Sequence, residues 1–410
     1  MSPALVGAVD GGNLAKQVQY LSHATNDRMG MTPQSQKDLS VINLNARGAH
    51  VGLDPRGGHL ASVEFEFGGK TIRPMHRAHW RTGENNGGVP EKFGPEVPQT
   101  LQSLSGDFFC VPFSRDDITD GPQHGPAANG TWREARRETN ASGETVEFKL
   151  DQTILGADLV KAIELRAGHP IVYQKHAFIG GEGATSLAHH PMIRTQGGAR
   201  LSFSKKLFGA TPPGAVESEP AQGRSALLYP QIFDDLSEVQ LAAGGTIDLR
   251  NQPGPDGCED FLLMAEDPAN AFGWTAAVLQ GQGFIYFALR DPRVLPVTLL
   301  WLSNGGRNYA PWNGRHRYVL GVEEACTFFG AGSVESAAPN WLNERGVKTA
   351  LTLDPAGVTE VRLAFGAVPV PTGWSEIADI RLTADRMHLR DISGGEIAVP
   401  FDPSLAGINL

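Results

Sequence analysis

Imidazoles and carboxylates are the side chains best suited to moving protons near neutral pH, since imidazole titrates there and a carboxylate complements it as a base. Three stretches of the sequence set such groups in unusual local company. The first is Gly106-Asp107-Phe108-Phe109-Cys110-Val111-Pro112-Phe113, followed by His124-Gly125-Pro126-Ala127-Ala128-Asn129-Gly130-Thr131-Trp132. A histidine beside glycine in a Gly/Pro-rich loop has an exposed ring with room for a ligand; the competing reading is an ordinary surface imidazole. The second is Ala188-His189-His190-Pro191-Met192-Ile193-Arg194, in which adjacent histidines point to opposite faces if the segment is extended. One of them at most faces a given pocket, so the pair is no ready metal site. The third runs from Trp301 through Ser303, Asn304, Gly305, Gly306, Arg307, Asn308 and Tyr309 to Trp312, Asn313, Arg315 and His316, then to Glu323 and Glu324. Aromatic, amide and guanidinium groups crowded into a Gly-rich loop suit a sugar site, where rings stack on the apolar faces of a pyranose and polar tips bond its hydroxyls. Glu323 ends the apolar run Val319 to Val322, where desolvation would raise its pKa and fit it to be a general base. A solvated strand-end glutamate is the plain alternative, and Glu324 is its nearest candidate.

Other chemistries have no anchor. The chain lacks a Walker motif, a GxGxxG opening a helix, a GxSxG elbow and an HExxH pair, so cofactor-free and metal-free chemistry is expected. Its 45 acidic and 35 basic side chains give a formal net charge of −10, with no long basic cluster to follow a phosphate backbone, which argues against nucleic acid as a partner. Three cysteines, Cys110, Cys258 and Cys326, form no CxxC pair; a reduced, cytoplasmic compartment fits them best. No basic-then-apolar leader opens the chain, and no apolar run approaches the roughly 18 residues that span a bilayer. The expected partner is therefore a small molecule, with no membrane attachment and a monomeric or homodimeric state.

The elements that must hold these groups read as strands. Ala61, Val63, Phe65 and Phe67 alternate with Ser62, Glu64 and Glu66 ahead of Gly68-Gly69, predicting a half-buried strand that enters a hairpin. The same period of two recurs at Val146, Phe148 and Leu150 and at Val361, Leu363 and Phe365. Ile171 to Ile179, Phe284 to Leu289 and Val294 to Leu302 are more continuously apolar, as in strands buried on both faces. The one helical candidate is Ser336 to Arg345, capped by Ser336 and ended by Gly346. Without an alternation of strand and long helix, the fold class is all-β: a large antiparallel β-sandwich with few short helices. Residues 1–45 read as an extension preceding or packing on the sandwich, and 46–410 as a single domain. Thr82 to Thr100 and Thr211 to Gly223 read as long loops, either binding loops or surface excursions.

Taken in order, these motifs resemble the galactose mutarotase-like superfamily, the aldose 1-epimerases and hexose-6-phosphate mutarotases. The His124-Gly125-x-Ala127…Trp132 segment is similar to the family's HG-x-A…W, His190-Pro191-Met192-Ile193 to its second histidine segment, and Gly321-Val322-Glu323 to the strand bearing its glutamate; Ser336 to Gly346 is similar to the element that follows. The likeness extends over roughly Gly52 to Phe365. It implies a β-supersandwich with the site on one concave face, and interconversion of the α and β anomers of a free aldose. By carry-over Glu323 is the base and His190 the acid; His124 steadies the ring oxygen or its neighbouring hydroxyls. Arg77 or Arg81 would hold sugar hydroxyls, joined by Asn129, Asn304, Trp312 and Arg315 as binding residues. Two departures bear on the substrate: Ala128 and Asn129 stand where the phosphate-using branch has arginine, and Met192-Ile193 replace an aromatic pair. The family's mid-chain aspartate has only Asp234 and Asp235 as candidates by position. Two other readings stand beside the enzyme, a non-catalytic carbohydrate-binding protein of the same fold and a metal-dependent lyase or hydrolase using His76, His79 and His124.

Overall fold

The computed structural model describes residues 39–83, 88 and 90–409; residues 1–38, most of the expected N-terminal extension, lie outside the described residues. Two large antiparallel sheets carry the architecture. One has nine strands, running from Asn251–Gln252 at one edge through Ala199–Phe203, Gly273–Leu279, Phe284–Arg290, Val358–Pro369, Ile171–Ile179, Asp158–Arg166 and Gly143–Leu150 to Trp132–Asn140. The other has eight: Ile232–Phe233, Lys206–Ala210, Glu259–Glu266, Val297–Ser303, Val319–Cys326, Leu187–His189 and Phe109–Cys110 in order, with Met192–Arg194 also paired to Val319–Cys326.

The alternation read from sequence governs which side chains are buried. Val63 and Phe65 of the strand His59–Phe67 are buried while Glu66 is exposed, and Gly68 and Gly69 take the positive φ values (54° and 82°) that a two-residue hairpin turn requires. Between the sheets lies an apolar core that joins Leu300, Leu302, Leu320 and Val322 to Ile163, Phe178, Tyr286, Leu363 and Phe365. A three-stranded meander, Ile377–Leu382, Arg386–Asp391 and Glu396–Pro400, covers the far face of the nine-stranded sheet through Ile380, Met387 and Leu389. The far face of the eight-stranded sheet carries a third cluster, rich in aromatics: Trp80, Phe108, Phe113, Trp301 and Trp312. The fold is thus the all-β sandwich expected, and the strand at Ile42–Ala46 pairs with Ala49–Asp54 as the edge of a further four-stranded sheet.

The expected helix is corrected. Ser336 to Arg345 divides into Ser333–Ala337 and Trp341–Glu344, and the second is capped by Asn340, whose side chain accepts from Leu342 N and Asn343 N in a capping box. Ser336 lies inside the first helix, where its hydroxyl donates to Gly332 O and accepts from Phe328 N, so it cannot cap. Gly346 does end the pair with φ 78°.

Candidate active site

Strand register decides which side chains share the aromatic outer face. Glu323 stands opposite Leu299 and Gly321 opposite Trp301, while Ser303 stands opposite both Val319 and Glu259. Directly opposed residues project to one side of a sheet, so Glu323, Trp301, Ser303 and Glu259 line a single face. His189 and Glu324, paired with each other, belong to the opposite, interior face.

His190 occupies the break between the strands Leu187–His189 and Met192–Arg194, both laid along Val319–Cys326. Pro191 has no N–H to continue the ladder, and its carbonyl accepts from Val322 N at 2.8 Å. The His190 N–H is anchored by Phe108 O (3.0 Å) and by Asp107 Oδ1 (2.8 Å), while Asp107 Oδ2 accepts from Gln174 Nε2 (2.5 Å) and meets His189 Nδ1 at 3.2 Å. The two histidines thus face opposite ways, as an extended pair must. One supports the interior beneath the site while the other reaches Glu323: His190 Nε2 lies 3.2 Å from Glu323 Oε1, with side chains only 6% and 1% exposed. Burial drives the Glu323 carboxyl well above its ordinary pKa. It drives the His190 imidazole well below its own, aided by His124 and His59. Both shifts favour neutral acid facing neutral imidazole over the charged pair, with the proton shared along the Oε1–Nε2 contact. Two buried polar atoms of the pair, His190 Nδ1 and Glu323 Oε2, have no hydrogen-bond partner among the described residues. Gly321 makes room for the carboxylate: a Cβ there would sit 2.6 Å from Glu323 Oε1 and 3.0 Å from the Trp301 Cβ.

Aromatic rings surround the pair. Phe108 stacks on His190 (4.5 Å) and on His59 (4.2 Å), and Trp301 meets His190 edge-on at 5.6 Å. His124, held in the left-handed conformation (φ 70°), stands perpendicular to His190 at 5.3 Å. Its Nδ1 accepts from Ser114 N at 3.3 Å, which puts the ring proton on Nε2. Burial, with Arg307 nearby, lowers its pKa to about 4, so His124 is a neutral donor.

A second polar group shares the face. Glu259 accepts from Trp301 Nε1 (2.5 Å) and from Ser303 Oγ (2.9 Å), and Arg307 Nη1 lies 3.4 Å from it. Arg307 also donates to Glu217 Oε1 (2.7 Å) and lies over the ring of Trp312 at 4.8 Å. Glu217 ties the loop Thr211 to Gly223 to this face.

The structure brings together His190, Glu323 and His124 from separate parts of the chain. Of the other selected residues Trp312 shares the aromatic face, while Arg81, Asn129, Asn304 and Arg315 make their bonds elsewhere. Arg81 donates to the fully buried Asp54 at 3.1 Å, and Arg77 is exposed. Asn129 accepts from Thr100 N and donates to Gln123 O and Gly125 O, pinning its own loop. Asn304 donates to Gly254 O and accepts from Tyr318 N. Arg315 pairs with Glu91 toward the surface. Trp312 is packed beneath Arg307 and edge-on to Trp80, Trp301 and His316. Asp234 and Asp235 are exposed, and Asp235 caps a short 3₁₀ turn through Ser237 N. The second carboxylate of this face is Glu259, which no local motif marked and sequence reading missed; Arg307 and His316 stood in the Gly-rich stretch after Trp301 without being selected as site residues. The three histidines of the metal reading divide, His76 bonding His316 and His124 packing on His190, and among the described residues no group of three or more His, Cys, Asp or Glu is placed to hold a metal ion.

The chain is similar to a putative aldose 1-epimerase from Escherichia coli K12 (TM-score 0.52, 10% identity, covering 81% of this chain and 99% of that one). It is similar also to a galactose mutarotase-like protein from Clostridium acetobutylicum (0.51, 11%, covering 80% and 95%) and to a putative mutarotase from Salmonella typhimurium (0.50, 12%, covering 80% and 90%). The chain has the galactose mutarotase-like fold. No protein-family model matches its sequence, and no curated protein does. Among the described residues no helix is long and apolar enough to cross a membrane. On this galactose mutarotase-like sandwich, the His190–Glu323 pair lies on the outer face of the eight-stranded sheet.

Proposed function

We propose that the protein is an aldose 1-epimerase-like enzyme that interconverts the α and β anomers of an aldose. The observation that carries this reading is the buried His190–Glu323 pair, with Nε2 lying 3.2 Å from Oε1. Anomerisation requires a proton to leave the C1 hydroxyl and another to reach the ring oxygen, two atoms on the same carbon, so base and acid must lie side by side. Transfer of the shared proton from Oε1 to Nε2 produces the reactive carboxylate and imidazolium. Glu323 then takes the C1 hydroxyl proton as Nε2–H protonates the ring oxygen; the C1–O5 bond breaks and C1 becomes the aldehyde carbon. The pair has returned to its neutral form with no net proton exchanged. Rotation about C1–C2 and the reverse transfers close the ring on the other face. In this reading His124 donates from Nε2 to a sugar oxygen, and Arg307 and Glu259 bond hydroxyls beside the Trp301 ring.

A carbohydrate-binding protein without turnover is the second reading, favoured by one fact: Glu323 is 1% exposed, so a sugar reaches it only by displacing its neighbours. Polarimetry of freshly dissolved α-D-glucose and α-D-galactose separates the two. The enzyme accelerates the approach to equilibrium, and both His190→Ala and Glu323→Gln abolish the acceleration; absence of acceleration across a panel of aldoses overturns the proposal.

A further inference from the structure

Glu259 does not end at the sugar face. Its Oε1 accepts from Trp301 Nε1, so its other oxygen, Oε2, is the one that meets Ser303 Oγ, at 2.9 Å. Ser303 Oγ is also 2.7 Å from His316 Nδ1, and His316 Nε2 is 3.0 Å from His76 Nε2. Ser303, His316 and His76 are 1%, 2% and 8% exposed, so the line runs inward-facing from Glu259 and reaches its least buried member at His76. It joins three parts of the sandwich: two neighbouring strands, the loop before Val319–Cys326, and the segment preceding the helix His79–Thr82.

Proton accounting gives the line two self-consistent states. With Glu259 ionised, the single Ser303 proton points to Oε2, His316 must donate from Nδ1 to Ser303, its bare Nε2 accepts, and His76 donates from Nε2. With Glu259 protonated at Oε2, every bond reverses: Oε2–H donates to Ser303, Ser303 donates to His316 Nδ1, His316 donates from Nε2, and His76 keeps its proton on Nδ1. One state becomes the other when a proton enters at His76 Nδ1 and each link hands one on, so that the last arrives at Glu259; no atom has to move by more than a hydrogen bond. We propose that Glu259, Ser303, His316 and His76 form a proton relay, through which the buried carboxylate beside Arg307 exchanges protons with the His76 end while the aromatic face stays closed. In the relay Ser303, His316 and His76 are positioning residues.

The surroundings keep both states accessible. Burial raises the Glu259 carboxyl to about 7 against the opposing pull of Arg307, Trp301 and Ser303, with Glu217 adding to the rise. Burial holds His76 near 3, aided by Arg194 and His79, and His316 well below its usual range, aided by His76, Arg307 and His79. Both imidazoles are thus neutral at physiological pH, which the two-tautomer scheme requires. Anomerisation as proposed above returns its own proton to the His190–Glu323 pair and makes no call on the relay. The relay instead sets the charge of the group that faces Arg307, and only this use rests on a sugar occupying the face.

The test is ¹⁵N NMR of the full chain labelled at histidine, with His316 assigned by its loss in His316→Gln. The expected result is a tautomer change at His316, from Nε2–H below to Nδ1–H above a midpoint near pH 7. The change should vanish in both Glu259→Gln and Ser303→Ala and survive in Glu323→Gln. A His316 tautomer that stays fixed from pH 5 to 9 in the wild type overturns the relay, as does a switch that persists in Ser303→Ala. A switching His316 in a protein without polarimetric activity would remove the proposed function and leave the relay standing; an active enzyme with a fixed tautomer would do the reverse.

Discussion

Glu323 and Glu324 are neighbours on one strand, and their surroundings could hardly differ more. Glu324 points into the sandwich, where Oε1 accepts from Thr275 (2.8 Å), Oε2 accepts from Thr298 (2.8 Å), and Arg290 forms an ion pair at 2.8 Å. Arg290 in turn pairs with Glu266, which pairs with Lys206, so the interior face holds two carboxylates against two cations. Glu323 points outward to the His190 imidazole, leaving Oε2 and His190 Nδ1 without hydrogen-bond partners among the described residues. Both carboxylates are buried to within 1%. What separates them is satisfaction: both oxygens of the interior group accept hydrogen bonds and a cation faces it, while the outer group faces an imidazole and keeps bonding capacity in reserve. Burial without satisfaction is the condition that makes a proton mobile.

Substitution should break the comparison in opposite ways. Glu323→Gln removes the base and should lower the anomerisation rate about 10²- to 10⁴-fold in polarimetry, with the melting curve little changed. Glu324→Ala removes one anion from a buried network and leaves Glu266 alone against Arg290 and Lys206, so it should cost about 3–5 kcal/mol in urea denaturation. If Glu324→Ala proved harmless to stability while Glu323→Gln unfolded the chain, the assignment of roles to the two faces would be reversed.

This contrast was partly legible in the sequence. A period of two in Ala188-His189-His190 already requires opposite faces for the two histidines, and the apolar run before Glu323 already implies desolvation. Which of two consecutive glutamates faces outward depends on register against Val297–Ser303, a non-local fact. Glu259 was invisible for the same reason: its partners Ser303 and Arg307 come from 44 and more residues away, and Cys258-Glu259-Asp260 carries no local signal of burial. Asn129 and Asn304 illustrate the converse error. Polar side chains in Gly-rich loops looked available for a ligand, yet the loops themselves consume them, since irregular backbone has no ladder to satisfy its own N–H and C=O groups.

Gly321→Ala sharpens the comparison at smaller scale. Its Cβ would meet Glu323 Oε1 and the Trp301 Cβ but nothing of the Glu324 network, so the outer face alone should be overpacked. A loss of about 1–3 kcal/mol is expected, with a rate defect from the displaced carboxylate. Equal loss of stability with an unaltered rate would mean that Glu323 has freedom to move that the outer face does not show.

The gentlest test is a pH profile at saturating sugar, where the prediction is a flat top. Activity needs one proton on the pair. Below the depressed His190 value the pair carries two protons and has no base, so the rate falls as pH falls through it; above the raised Glu323 value it carries none and has no acid, so the rate falls as pH rises through it. In ordinary solvated groups, with values of 4.5 for glutamate and 6.5 for histidine, the one-proton window would close on the alkaline side at 6.5. Burial moves the carboxyl up and the imidazole down, toward an exchange of the two titrations, and the window extends beyond 6.5 on the alkaline side. A rate that does not fall as pH rises through 6.5 is therefore the signature of a neutral, desolvated pair. An alkaline limb near 6.5 would mean that water reaches Glu323 and His190 in the working enzyme, and the difference between the two faces would then be one of wetting instead of satisfaction.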